Sequence, residues 1–515
     1  MKKKHSWLLA VTIIVMGLMA ACQADASEKD PVQTGSSSGQ ILRIANNTDP
    51  VSLDPQMVNE GASALVNTQM YDTLVTRTHD MEIVPSLATS WERLDDYTIE
   101  FKLREDVVFH NGDPLTAQDV YFTMSRAIDS PVAAAILGMI DPDRLNVVDE
   151  HTIQIGTVEP FAPLLANLGH STAFIVSERA VTEAGDNYGN HPVGTGAFEF
   201  VGRDRGVNLE FQRFDDYWGE APQIAGIEYR IIPEPSMRLM ALENNEIDIA
   251  FGVAPSDVHR IEADPDLTLI SRINTAVNYI GINTQKAPFD DVRVRQALNY
   301  AVDVDAIIEA ILEGLGEPTM GPMAASLPMV SRDVQLYGFD PVRARELLDE
   351  AGIEEGYPLN IWTDQNATNR SIVEVVANQL GQVGFDVNIE SFEWAAYLDA
   401  LENQNHDLFI MGWTPVTGDA DNALFPLFHS TQWGSPGNRS LFDNAQVDAL
   451  IEEARTTFDE EQRAELYHQL QNIILEEAPW IFLHNGSSLH ASRSNVHGYS
   501  VRLNGQQTLR DVYFD

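Results

Sequence analysis

Residues 85–120 read PSLATSWERLDDYTIEFKLREDVVFHNGDPLTAQDV, and this stretch decides the fold. Polar and apolar residues alternate over residues 98–103, and this period of two predicts a half-buried strand. The Asn-Gly pair at 111–112 is a turn signal. Thr116 stands three residues before Asp119, a spacing typical of a capped helix start. The stretch therefore predicts a pair of strands that leads into a capped helix.

Composition and charge limit the classes of function that this chain can have. A chain of 515 residues is too long for one hydrophobic core and predicts two or three domains. The formal net charge of -45 at pH 7 argues against nucleic acid as a partner, because phosphates require a basic surface. The 13 histidines show no metal-ligand spacing and Cys22 is the only cysteine, so we expect no metal site, no cofactor and no internal disulfide.

The amino terminus has the pattern of an exported lipoprotein. Lysines at 2–4 precede an apolar run over 7–21, which is typical of a signal peptide and too short to span a membrane, so we interpret residues 1–21 as a signal peptide. The small residues before Cys22 resemble a bacterial lipobox, which implies a lipid on that thiol. The alternative is an ordinary secreted protein that is cut near residue 21. Residues 22–40 are polar and Gly/Ser-rich, a composition that predicts a flexible tether.

Three stretches together resemble one family of receptors. Residues 107–120 follow V-x-F-H-x-G-x-P-L-T-A-x-D-V, residues 191–200 read HPVGTGAFEF, and residues 288–307 read PFDDVRVRQALNYAVDVDAI. These motifs resemble the family 5 extracellular solute-binding proteins, which are the peptide, nickel and glutathione receptors of bacterial ABC importers. The resemblance extends over residues 41–515. Within it, His110 is interpreted as a structural residue beside a turn.

The resemblance implies an α/β fold of the two-lobed periplasmic-binding-protein type, in the large form known as type II, cluster C. It places lobe I at residues 41–285, with an extra subdomain at about 81–190. Lobe II is expected at residues 286–484, and residues 485–515 are expected to return to lobe I. Independently of the resemblance, strands and helices alternate between residues 359 and 412, which predicts βαβ units with parallel strands.

The family resemblance also implies a function. We expect a monomeric receptor, held on the outer face of the cell membrane by its lipid, that captures a peptide by hinge closure. The receptor would pass the peptide to an ABC permease that ATPase subunits drive. Two alternatives stay open: the same scaffold could carry a nickel or other metal chelate or haem, or the chain could be an extracellular hydrolase or sensor. The sequence lacks G-x-S-x-G and H-E-x-x-H, which favours a receptor over an enzyme.

The candidate ligand loop is GWTPVTGDADN at residues 412–422, directly after a predicted strand. Loops at the carboxyl ends of strands are where α/β proteins bind ligands. Trp413 offers an apolar face, and the loop resembles the family segment G-W-x-x-D-x-x-D-P-D-N. In the dipeptide-binding branch the first Asp of that segment binds the free amine of the ligand, and the matching residue here is Val416. Asp419 could take over this role, or it could cap the loop. The other predicted ligand contacts on the loop are Thr414, Thr417 and Gly418.

Two further loops supply candidate contacts. In the loop at residues 363–370, Arg370 could bind a ligand carboxylate through two hydrogen bonds, or it could be a solvated helix residue. Asn366 on the same loop has the same two interpretations. The turn at residues 46–49 resembles the ligand-side loop of the family, which makes Asn47 a candidate contact.

Overall fold

The computed structural model describes residues 39–434 and 437–515. The predicted signal peptide, Cys22 and all but the end of the predicted tether lie outside these residues. Within the described part of the chain, none of the helices has the length and apolar character needed to cross a membrane.

The strands are numbered in chain order. They are β1 (Ile41–Asn46), β2 (Val75–Arg77), β3 (Ile83–Pro85), β4 (Ala88–Arg93), β5 (Thr98–Leu103), β6 (Ile140–Asp149), β7 (Thr152–Thr157), β8 (Phe198–Asp204), β9 (Asn208–Arg213), β10 (Gly226–Ile231), β11 (Ile249–Phe251), β12 (Leu267–Ile282), β13 (Gly316–Pro318), β14 (Tyr357–Thr363), β15 (Phe385–Ser391), β16 (Leu408–Trp413), β17 (Trp480–Arg493), β18 (Val496–His497), β19 (Ser500–Val501), β20 (Gln507–Thr508) and β21 (Tyr513–Phe514).

The α-helices are numbered in the same way. They are α1 (Gly61–Asn67), α2 (Ala117–Asp129), α3 (Ala134–Leu137), α4 (Leu164–Leu168), α5 (Glu178–Ala184), α6 (Pro235–Glu243), α7 (Val258–Glu262), α8 (Val292–Tyr300), α9 (Val304–Ile311), α10 (Pro341–Glu350), α11 (Ala367–Gln382), α12 (Trp394–Glu402), α13 (Asp421–Phe428), α14 (Ala445–Thr456) and α15 (Glu460–Glu477).

Two long strands join the two halves of the molecule. The first half is the part whose cores contain Phe101, Tyr229 and Leu239, and the second half is the part whose cores contain Ile361 and Trp480. The largest sheet has the order β15-β14-β16-β12-β17-β11-β1-β10-β9-β8, with β13 paired to β17. Strands β12 and β17 are antiparallel neighbours of 16 and 14 residues, and they pair along nearly their whole length. The start of β12, at Leu267, packs in a core of the first half, whereas Ile280 and Ile282 near its end pack in a core of the second half.

The stretch at residues 85–120 folds as its pattern predicts. Strand β5 pairs with β4, and its apolar side chains are buried in the core of a four-stranded sheet, β4-β5-β7-β6. Helix α2 begins with a capping box, in which the Asp119 carboxylate accepts a hydrogen bond from the backbone N–H of Thr116 at 3.0 Å. The box satisfies backbone donors that the first helical turn would otherwise leave without partners. Both the strand and the cap confirm the local prediction.

His110 ties this region to the segment at residues 191–200. A nitrogen of its ring lies 3.0 Å from the carbonyl oxygen of Gly196, and the backbone N–H of Gly194 donates to the other nitrogen at 3.3 Å. Burial lowers the pKa of His110 to about 4, which keeps the ring neutral at physiological pH. The two sequence motifs are thus joined in space by a neutral structural histidine.

The second half contains the predicted βαβ units. Strand β14 is parallel to β15 over seven residue pairs, and β14 is also parallel to β16. Helices α11 and α12 form the two connections, as the alternation predicts. Helices α8 and α10 begin with the caps Asp291 and Asp340, whose carboxylates accept backbone N–H groups. The residue boundaries of the two lobes stay predictions, because residues 39–515 form one compact unit.

Candidate functional site

The strand directions bring three predicted ligand loops toward the junction of the two halves. Strand β12 runs from the first half into the second, and β1 and β11 run in the same direction because β11 and β12 are both antiparallel to β17. The carboxyl end of β1, followed by Asn47, therefore points toward the second half. Strand β16 is antiparallel to β12 and parallel to β14, so the ends of these strands, at Trp413 and Thr363, point toward the first half. The loops thus approach one cleft from both sides, at the carboxyl ends of their strands.

The middle of the crossing strands is irregular and polar. The register of β12 against β17 slips between Ile273 and Val277, where a regular ladder would continue. Such irregularities bend a strand and redirect its side chains. The slip lies where the two strands leave the cores of the first half and enter those of the second, so it marks the position expected for a hinge.

Polar groups at this crossing carry unused hydrogen-bonding capacity. The side-chain amide of Asn485 donates to the carbonyl oxygen of Ala276 at 2.8 Å. Its own Oδ1 atom and the hydroxyl of Thr275 are buried, and neither finds a hydrogen-bond partner in the described residues. Because buried polar atoms without partners are rare, these two atoms indicate a place where a polar ligand or water binds.

Trp413 stands at the edge of the cleft. It is opposite Val277 in the pairing of β16 with β12, directly beside the irregular part of the crossing. Its indole N–H donates to the carbonyl oxygen of Asn422 at 2.7 Å, which fixes the ring. The ring is half-buried and packs against a core of the second half. A fixed, half-exposed indole provides an apolar contact surface for a ligand at small entropic cost.

The loop after Trp413 meets the first half directly. Val416 packs against the core of the four-stranded-sheet region in the first half. Gly418 has a φ of +66°, and a Cβ atom at this position would lie 2.2 Å from the Cε atom of Met81 and 3.2 Å from the Cζ atom of Arg77. This close approach requires glycine and joins the loop to β2 and the turn after it.

Arg77 was not predicted as a site residue, yet it faces the candidate ligand loop. Its guanidinium donates to the carbonyl oxygen of Met81 at 2.7 Å, while its Nη2 atom is buried without a partner in the part of the chain that the structure describes. Burial lowers the pKa of Arg77 to about 10, and the charge of Asp419 opposes this shift. The first half therefore presents to the ligand loop a buried positive group, one of whose N–H donors has no partner among the described residues.

Asp419 is held by Arg463 on α15. Two hydrogen bonds of 2.8 Å join its carboxylate oxygens to the guanidinium of Arg463, and the backbone N–H of Asp421 donates to it at 2.8 Å. Burial raises the pKa of Asp419, but the charge and hydrogen bonds of Arg463 outweigh this and bring the pKa below its ordinary value. A ligand amine at this carboxylate would have to compete with an arginine that binds it through both oxygens.

The two threonines of the loop differ. Thr417 is buried, and its hydroxyl accepts a hydrogen bond of 3.3 Å from the backbone N–H of Asp419. That hydroxyl therefore serves the loop itself. Thr414 is half-buried and follows the strand end directly.

The remaining candidates lie in different settings. Asn366 is the N-cap of α11, where its side chain accepts the backbone N–H of Asn369 at 3.1 Å. Asn47 is exposed in the loop after β1. Arg370 lines a surface cavity of about 540 Å³. The other residues that line this cavity are Thr363, Gln365, Glu374, Ile389 and Ser391.

The two halves also touch away from the ligand loop. The backbone N–H of Ala162 in the first half donates to the carbonyl oxygen of Arg455 in the second at 2.7 Å. The guanidinium of Arg93 lies 3.8 Å from the ring centroid of Phe458. Cations over aromatic rings are attracted by the ring quadrupole. With the Gly418 contact, these interactions describe two halves that are closed on each other.

The arrangement of the histidine and acidic side chains in the described residues bears on the metal alternative. Across residues 39–434 and 437–515, no group of three or more His, Cys, Asp or Glu side chains is placed to hold a metal ion. Several buried histidines have pKa values lowered to about 4 by burial, among them His406 and His484.

Comparison with known proteins assigns a family to this architecture. A sequence model described as bacterial extracellular solute-binding proteins, family 5 Middle, matches residues 82–435. The chain is 30% identical over 543 residues to the dipeptide-binding protein of Escherichia coli K12, with 99% of each chain covered. It is 32% identical over 533 residues to heme-binding protein A of Haemophilus influenzae, with 97% of each covered.

A solved structure supports the same assignment. The periplasmic binding protein DppA of Helicobacter pylori, in complex with the peptide STSA, superposes with a TM-score of 0.79 at 29% identity, over 92% of this chain and 98% of the other. The predicted two-lobed α/β fold is therefore confirmed.

Proposed function

Because the chain belongs to family 5 of the bacterial extracellular solute-binding proteins, we propose that it is the peptide receptor of an ABC importer, anchored by a lipid on Cys22. Members of this family are extracytoplasmic substrate-binding proteins. The receptor acts as a monomer and delivers its peptide to a membrane permease that ATPase subunits on other chains drive. We assign residues 41–285 and 485–515 to lobe I, with an extra subdomain at about 81–190, and residues 286–484 to lobe II.

The cleft between the two sets of strand ends is the observation that carries this proposal. Trp413 supplies a fixed apolar surface, and the neighbouring loop supplies backbone groups. The hydroxyl of Thr275 and the Oδ1 atom of Asn485, which have no partner among the described residues, lie where β12 and β17 cross between the halves and are available for hydrogen bonds. A peptide backbone carries both donors and acceptors, so such a cleft suits it. Contacts made in the closed state shift an open–closed equilibrium by their differential affinity.

The direct test of this proposal is calorimetry with Trp413→Ala. We expect the variant to bind di- to tetrapeptides roughly tenfold or more weakly than the wild type, because truncating a central aromatic contact costs about 2 kcal/mol or more. Its melting temperature should fall less than that of a variant truncated in the core, because the ring is only half-buried. Trp394→Ala is the matched control, because Trp394 is 51% exposed on α12. A large loss of stability with unaltered peptide affinity would make Trp413 a core residue and contradict the assignment.

Val416 predicts how the ligand amine is recognised. At this position an apolar side chain contacts the first half, and the nearby Arg77 would repel an ammonium group. We therefore expect free and N-acetylated peptides of one sequence to bind with similar affinity. Calorimetry on such a matched pair checks this. A preference for the free amine above about tenfold, or roughly 1.4 kcal/mol, would show that a charged partner binds it elsewhere in the cleft.

Haem is a second candidate ligand. The observation in its favour is the 32% identity to a relative named heme-binding protein A. Titration with haem, followed by visible absorbance, separates the two ligands. Saturable haem binding that Trp413→Ala weakens, together with failure of every peptide to bind, would favour haem.

The lipid on Cys22 predicts where the protein is found. Cys22→Ala should move the protein from the membrane fraction to the medium or the soluble periplasmic fraction, because an acyl chain contributes about 0.8 kcal/mol per buried CH₂ and two chains anchor stably. Cell fractionation and mass spectrometry of the mature amino terminus are the measurements. A wild-type protein without lipid, or a variant that stays in the membrane fraction, would contradict the anchor.

A further inference from the structure

A second polar cavity lies in the first half, beside Thr76 of β2. Its volume is about 380 Å³, within the range of small-molecule sites. Its walls come from the chain around α1 to β3, the segment near Trp218 and the carboxyl-terminal segment from Arg502 to Asp511. Residues 413–418, which form the proposed peptide site, do not contribute to the walls.

One wall of this cavity carries a carboxylate that has no ion-pair partner among the described residues. Asp72 accepts hydrogen bonds from the indole N–H of Trp218 and the hydroxyl of Thr195, both at 3.0 Å and both on its Oδ2 atom. Arg510 acts on it through space rather than in a contact pair. Burial raises the pKa of Asp72 to about 6, so the group is mainly ionised at neutral pH. A buried carboxylate of this kind gains most from a ligand that supplies a positive charge.

The carboxyl-terminal segment contributes lining groups of complementary type. The Nε atom of Arg502 is buried and unpartnered within the described chain, and its Nη1 atom makes only weak contacts of 3.4 Å to Thr76 and Gln506. Gln507 as a whole residue is 6% exposed, and its Oε1 atom likewise meets no donor in the described residues. Arg502 therefore offers N–H groups to an anion, and Gln507 offers an oxygen to a donor.

The charges around this cavity nearly balance. Arg502 and Arg510 are cationic, and Asp72, Glu220 and Asp511 are anionic. A simple anion would meet the carboxylates, and a simple cation would meet the guanidiniums. A zwitterion satisfies both walls, and the rings of Trp218 and Tyr217, which also line the cavity, leave room for an apolar side chain.

We propose that this lobe I cavity binds a free α-amino acid, with its ammonium group on Asp72 and its carboxylate on Arg502. Binding here is independent of peptide binding in the cleft. The indole of Trp218 donates to the same carboxylate, so its fluorescence should change when the cavity fills.

The test is a calorimetric screen of the purified mature protein against the twenty common L-amino acids at about 10 mM. We expect at least one to bind, and its N-acetyl and carboxamide derivatives to bind at least roughly tenfold more weakly. Asp72→Asn and Arg502→Gln should each weaken binding by a similar factor. Asp215→Asn is the matched control, because Asp215 lies three residues before Trp218 with an exposed side chain and does not line the cavity. Trp413→Ala should leave this binding in place.

Three results would overturn the proposal. One is that no amino acid binds. The second is that both derivatives bind as tightly as the parent amino acid, a comparison that uses only the wild-type protein and so does not depend on the folding of a variant. Loss of binding in Trp413→Ala with retention in Asp72→Asn would also overturn it, because the amino acid would then occupy the cleft.

Discussion

Replacing Asp419 with asparagine is expected to lower the free energy of unfolding by about 3 to 5 kcal/mol, because it leaves the buried guanidinium of Arg463 without its charged partner. The side chains of Asp419 and Arg463 are only 10% and 5% exposed, and two hydrogen bonds of 2.8 Å join them. The pair joins the ligand loop to α15. The variant should therefore also loosen the loop and weaken peptide binding.

The effect should depend on pH in a defined direction. The folded-state pKa of Asp419 lies below its ordinary value because of Arg463, so the pair stabilises the protein above the unfolded pKa of about 4. This stabilisation is lost as the pH falls through the folded-state pKa. Urea unfolding of the wild type and Asp419→Asn should therefore differ strongly at pH 7 and progressively less below about pH 4.

An exposed pair of the same chemistry is the control for this prediction. Arg345 and Asp349 on α10 lie 2.5 Å apart, with side chains that are 34% and 60% exposed. Asp349→Asn should cost less than about 1 kcal/mol, because solvent screens exposed pairs. Equal, small losses in both variants would contradict a structural role for the Asp419–Arg463 pair.

Gly196→Ala should destabilise the protein by about 3 kcal/mol, the upper end of the usual cost of overpacking a core. A Cβ atom at this position would lie 2.4 Å from the carbonyl carbon of Met70, 2.7 Å from the carbonyl oxygen of Gln69 and 2.7 Å from the backbone N atom of Tyr71. All three atoms are buried backbone, which cannot move aside as the end of a side chain would. The backbone N–H of Gly196 also donates to the carbonyl oxygen of Met70 at 2.8 Å, so the contact cannot open without losing this bond.

Gly202→Ala in β8 is the matched control for this substitution. A Cβ atom at Gly202 would meet no other described atom within 4 Å, and alanine is no less stable than glycine in a strand interior. Thermal and urea unfolding of both variants give the comparison. If both alanines are tolerated equally, the close approach of Gly196 to the backbone of residues 69–71 does not contribute to stability.

The local signals in the sequence predicted the parts of the fold that local contacts determine. The capping box of Thr116 and Asp119 lies within three residues, and the alternation in β5 reports one buried face. The position of the loop after Trp413 could also be predicted from the local sequence pattern, because the loop comes directly after a buried strand. These features need no knowledge of distant residues.

The electrostatics of the site could not be predicted in the same way. Asp419 is paired with a residue 44 positions away, and Arg77 reaches the ligand loop from the other half of the molecule. One signal was present and missed: the polar run His484-Asn485-Gly486-Ser487-Ser488 interrupts the apolar residues of β17 where the strand crosses between the halves. A polar interruption within a long buried strand indicates that the strand leaves one core and enters another.

Asn366 shows a different limit of prediction from sequence. An asparagine directly before a helix can be either a ligand contact or an N-cap. In the structure its side chain accepts a hydrogen bond from the backbone N–H of Asn369. The sequence offered both interpretations with no means to choose, because the choice depends on the side-chain rotamer. The structure leaves Arg370 on a surface cavity, where its predicted role as a carboxylate ligand stays a prediction.

The most direct test of peptide capture in the cleft is native mass spectrometry of the protein purified from its host, followed by collisional release of whatever is bound. The account predicts peptide masses in the wild type and their loss in Trp413→Ala. Release of haem or a metal chelate in place of peptides, or identical peptide occupancy in Trp413→Ala, would contradict it.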